Sequence, residues 1–150
     1  MEARAEDEVD AADGSAIVNL SWAGTSAYVA LAIAGTIQPD WFATPTAVLS
    51  VVLFFVGCIV FLWAYGIAVS RSRSDLIGIG GLYFLAGTDT APREVRFRLR
   101  LSLALQCVAA IASSSIRPFT PMAFGFLVPV FGLGLSGLWG ARHGSFAARS

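Results

Sequence analysis

Apolar residues in this chain do not alternate with polar ones at the spacing of a water-exposed helix or strand; they come in four long blocks. The blocks cover residues 16–37, 47–68, 99–116 and 122–140. A membrane-crossing helix needs about 20 residues to cover roughly 30 Å of hydrocarbon at about 1.5 Å per residue. The first two blocks meet that length alone, and the last two meet it with their flanks. None has the charged face that a helix of a soluble bundle turns to water. The pattern predicts an all-α membrane protein, a four-transmembrane-helix bundle occupying residues 15–144.

Between the second and third blocks lies "DLIGIGGLYFLAGTDTAP", residues 75–92. Its apolar run of about twelve residues is too short to span, and Gly78, Gly80 and Gly81 disfavour a rigid helix throughout. An interfacial or re-entrant segment is expected there. Those glycines lack the spacing and the Lys-Ser/Thr of a phosphate-binding loop.

Charge gives the bundle a direction. All ten bases are Arg, and nine of them fall on one side of the predicted spans, leaving Arg117 on the other. The base-rich side of a membrane protein is the cytosolic one, so both termini are expected in the cytosol. Trp22, Trp63, Tyr65 and Trp139 gather toward the same ends, as an interfacial aromatic belt does. Residues 1–14 hold one Arg against six acids. They read as a disordered acidic cytosolic tail, opposite in charge to the n-region of a signal peptide; residues 145–150 read as a short tail. With a formal net charge of zero, there is no basis for nucleic-acid binding.

Candidate chemistry is sparse. In "PREVRFRLR", residues 92–100, Pro suits a helix start. At about 100° per residue, Arg93, Arg96 and Arg100 then share one face. They form a candidate contact for anionic lipid or an acidic partner. On the third span, Ser102, Gln106, Ala110 and Ser113 make one stripe that should turn inward. Helical rise places Gln106 level with Ser21, Trp22, Tyr65 and Ser136, and an amide at that depth needs a partner. These five residues are the expected buried polar layer. Arg117, in "SSSIRPFTP", is expected as an outer-interface anchor that reaches toward headgroups. Pro129 should kink the fourth span. Small residues recur at helical spacing in the first span (Ala23, Ser26, Ala27, Ala30, Ala34) and the fourth (Gly132, Ser136, Gly140), which supports close packing in lipid.

No Asp, Glu, Lys or His lies within a span, which counts against proton relays and against a nucleophile paired with a base. Cys58 and Cys107 fall at different depths, and one His cannot complete a metal set with them. No catalytic residue, cofactor or metal site is expected. The stretches "FLWAYGIAVSRSRSDLIGIGGLYFLAG" and "RPFTPMAFGFLVPVFGLGLSGLWGARHGSF" resemble small uncharacterised four-span membrane proteins of GC-rich actinobacteria, and that resemblance implies no activity. The expected protein is a non-enzymatic accessory or scaffold subunit in the bacterial cytoplasmic membrane. Its expected partners are the bilayer and either another membrane protein or a second copy of itself. A second reading stays open: a small carrier or lipid-handling protein with Arg93, Arg96 and Arg100 at its cytosolic mouth.

Overall fold

The computed structural model describes residues 2–87 and 89–148, with the side chains of residues 2–12 outside that description. Five helices follow in order: α1 (Glu2–Ile37), α2 (Pro39–Arg71), the short α3 (Ile79–Tyr83), α4 (Arg93–Ile116) and α5 (Pro129–His143), with a 3-10 helix over Pro121–Leu127. Four segments are long and apolar enough to cross a membrane: Asp13–Ile37, Pro39–Arg71, Arg93–Ile116 and Pro121–His143. The chain is an all-α, multi-pass integral membrane protein. The start of α1, the last described residues, the α2–α4 connection and most of the described arginines lie at one end of the bundle, called here the basic end.

Two helix starts lie further upstream than hydropathy implies. α1 runs from Glu2 through the stretch expected to be an unstructured tail. Ala, Glu and Arg, which recur in that stretch of sequence, are strong helix formers. At the other end of the bundle, Gln38 alone separates α1 from α2. Pro39 occupies the first turn of α2 and Asp40 follows it, a helix-start signature that a hydropathy window overlooks. α2 is therefore 33 residues long, about 50 Å, against a hydrocarbon layer of about 30 Å.

The fourth span breaks where Pro129 has no N–H to give. The chain winds as a 3-10 helix up to Leu127, Val128 donates to the Gly125 carbonyl at 3.1 Å, and α5 begins at Pro129. The expected kink is thus a change of helix type.

The fourth span, with α5 as its main part, occupies the centre: 61% of its apolar stretch is buried against 28–33% for the other three. Its glycines allow this, each admitting a different neighbour. A Cβ at Gly134 would stand 2.6 Å from the Gly57 carbonyl of α2, and one at Gly132 would stand 2.6 Å from Gln106 Oε1 of α4. Gly137 takes the ring of Tyr83, and Gly140 lies under the Leu82 carbonyl. Close backbone approach of this kind is how helices associate in lipid. The small residues of the fourth span therefore serve the bundle interior. Those of the first span differ: Ala23, Ser26, Ala27 and Ala30 remain exposed.

The connection after α2 folds back onto the bundle. Leu82, Tyr83 and Leu85 are buried, and Tyr83 stacks on Phe61 at 4.2 Å between ring centroids. Irregular backbone near a membrane is tolerated where protein covers it. The last described residues join this cap. Leu76 donates to the Ala147 carbonyl at 2.8 Å, and Ser145 to the Thr90 carbonyl at 3.1 Å.

Candidate functional site

The stripe expected on the third span turns inward: Ser102, Gln106, Ala110 and Ser113 are all buried. Ser102 Oγ lies 2.8 Å from Ser21 Oγ and 2.7 Å from Thr25 Oγ1. Gln106 Nε2 donates to Thr25 Oγ1 at 2.7 Å, while its Oε1 accepts from the Gly132 N–H at 3.1 Å. Gly132 lies in the first turn of α5, where N–H groups lack partners within the helix. The break at Pro129 leaves a donor to be satisfied, and α4 supplies the acceptor.

The expected polar layer is therefore met in part. Gln106 and Ser21 belong to the network, and Thr25 and Ser102 complete it. Trp22 Nε1 is buried without an acceptor among the described residues, Tyr65 is 54% exposed, and the buried Ser136 takes no part. Thr25 was legible, since it sits one turn after Ser21 and its hydroxyl also donates to the Ser21 carbonyl at 2.8 Å. Ser21, Thr25, Ser102 and Gln106 are at most 1% exposed, so the network is closed to solvent.

Arg93, Arg96 and Arg100 do come to one face, where they line a surface groove of about 390 Å³ with Phe97, Leu101 and Ala104. Two of them also hold the cap. Arg96 Nη1 donates to the Gly87 carbonyl; Arg100 donates to the Phe84 carbonyl at 2.9 Å and the Leu85 carbonyl at 3.2 Å. Leu85 carries a φ of 49° while wholly buried. That left-handed conformation costs a non-glycine residue about 1 kcal/mol or more, and the Arg100 contacts help to hold it. Among the described residues no carboxylate pairs with Arg93, Arg96, Arg98 or Arg100.

Arg117 is at the end away from the termini, as its place in the sequence requires. Its Nη2 donates to the Thr36 carbonyl at 3.3 Å. A cation at the last turn of α1 meets the negative end of the helix dipole, so the arginine also ties the end of α4 to α1.

Arg71 was not singled out by sequence, yet it has the densest set of contacts at the basic end. It donates to the Ala141 carbonyl at 2.7 Å, the Gly144 carbonyl at 3.1 Å and Asp75 at 3.3 Å. It thereby caps α5. Replacing Arg71 with Met is expected to cost about 1–2 kcal/mol, since the lost bonds come from a charged but part-exposed donor. Amide exchange over residues 144–148 should rise before the bundle itself loosens. Unchanged protection there would remove the capping role. Nearby, Asp13 pairs with Arg142 at 2.7 Å, holding α1 to the end of α5. Burial pushes the Tyr83 phenol above its ordinary range, with Tyr65 adding to the shift. Tyr83 thus remains a donor to the Phe61 carbonyl, at 3.2 Å.

The described residues contain no group of three or more His, Cys, Asp or Glu placed to hold a metal ion, and Cys58 and Cys107 are free thiols. Comparison with protein-family models, curated proteins and solved structures finds no match for this chain. The class of protein therefore rests on its four apolar spans and their packing.

Proposed function

We propose that this integral membrane protein is a non-enzymatic accessory or scaffold subunit of a bacterial envelope complex. In this reading it sits in the cytoplasmic membrane with its basic end and both termini in the cytosol. The orientation is supported by arginine placement: 71, 73, 93, 96, 98, 100 and 142 at one end against 117 at the other. The observation that carries the functional reading is the closure of the polar core. Its hydroxyl and amide groups bond one another, and Gln106 Oε1 accepts from the Gly132 N–H. A carrier would instead line a wet path with such groups. Much of the apolar surface of α1 and α2 is outward and available to lipid or to a partner helix.

Affinity purification from the native membrane in mild detergent tests this. A second membrane protein in constant stoichiometry is the expected result. Isolation alone, with substrate uptake by reconstituted vesicles, would overturn it. The second reading, a small carrier or lipid-handling protein, draws on Arg93, Arg96 and Arg100, which pair with no carboxylate among the described residues. The side of α4 they occupy argues for binding at the periphery.

A further inference from the structure

The arginine face points away from the bundle. The buried Ser102 comes nine positions after Arg93, which at about 100° per residue puts them on opposite sides of α4. Phe97 is 64% exposed, and below it on the outward side Leu101, Leu105, Val108 and Ile111 are exposed as well. Cations at the rim therefore pass directly into an apolar surface along one helix. Among the described residues, carbonyls rather than carboxylates hold Arg96 and Arg100, and such bonds fix their positions without neutralising them. The Arg93 side chain makes no hydrogen bond with the described residues.

We infer that this face is a lateral binding site for one anionic phospholipid. The phosphate lies among the guanidiniums of Arg93, Arg96 and Arg100, which suit phosphate oxygens. An acyl chain follows the groove over Phe97, Leu101 and Ala104 toward Val108. A free phosphate would use the cations and leave the apolar half unexplained. The inference rests on this face alone, and not on either reading of the whole protein.

Native mass spectrometry of the full-length, delipidated protein tests the site, with phosphatidylglycerol and phosphatidylcholine of identical chains added in separate arms. Phosphatidylglycerol should be retained in preference. Arg93→Gln should weaken that retention about fivefold, the effect of one base near an anionic headgroup. It breaks no internal bond, so its melting temperature without lipid should match the parent protein. Arg98→Gln, which removes the same charge from another side of α4, should retain lipid as the parent does. Phe97→Ser should reduce lipid retention as well, and inorganic phosphate at equal concentration should fail to displace the lipid. Equal retention of the two lipids, equal losses in the Arg93 and Arg98 variants, or full displacement by inorganic phosphate would each overturn the site. Retention without transfer of lipid between vesicles would uphold the site while removing the carrier reading.

Discussion

Gly57→Leu is expected to drive α2 away from α5 and lower stability by about 3–4 kcal/mol. A Cβ at Gly57 would lie 2.6 Å from both the N and the Cα of Phe131. Those are backbone atoms of the central helix, so no rotamer change can relieve the overlap. Gly66→Leu is the matched control. It lies on the same helix with nothing within 4 Å of its Cβ, and losing a helix glycine there should be neutral or gain up to about 1 kcal/mol. Reversible unfolding in detergent, followed by circular dichroism, compares the two. Equal midpoints would show that the α2–α5 crossing does not govern stability.

Gln106→Leu should cost about 2 kcal/mol, through the Gly132 N–H that it leaves without an acceptor. Polar contacts between membrane helices average less, about 0.6 kcal/mol, because partners are available before packing. Here the donor belongs to a helix start fixed by Pro129, so substitutes are fewer. Ser136→Ala supplies the contrast, since Ser136 is buried at 3% exposure yet outside the network. Its expected cost is below about 0.5 kcal/mol. The same unfolding measurement decides the matter, and similar losses for both would reduce Gln106 to a packing residue.

Much of this architecture was legible because two periods dominate membrane helices. Block length identified the spans, and the 3.6-residue period identified Ser102, Gln106, Ala110 and Ser113 as an inward stripe. Depth arithmetic was less informative, since helical rise gives a level along the axis but no direction around it. Tyr65 shares a level with Gln106 and still faces outward, whereas Thr25, one turn from Ser21, faces in. The Gly132 contact was illegible for another reason. The acceptor for its N–H came from a separate helix, and only the three-dimensional arrangement sets which helix faces the Pro129 break. The bonds by which Arg96 and Arg100 hold the cap were illegible too, because bonds to carbonyls of a folded-back loop leave no trace in composition. Gln38-Pro39-Asp40 did carry a helix start, but its polar character outweighed that signal in a hydropathy reading.

The central place of α5 has a consequence for biogenesis. The fourth span, 23 residues long, leaves the ribosome after the other three. At about 5–20 residues per second its synthesis takes about 1–5 s. During that interval α1, α2 and α4 are without the helix they pack around, and Gln106 is without the N–H it will accept. The nascent protein then holds together through the α1–α2 and α1–α4 contacts, the Ser21–Ser102 and Thr25–Gln106 bonds among them. Maturation of this protein is therefore timed by the arrival of a single glycine-rich helix.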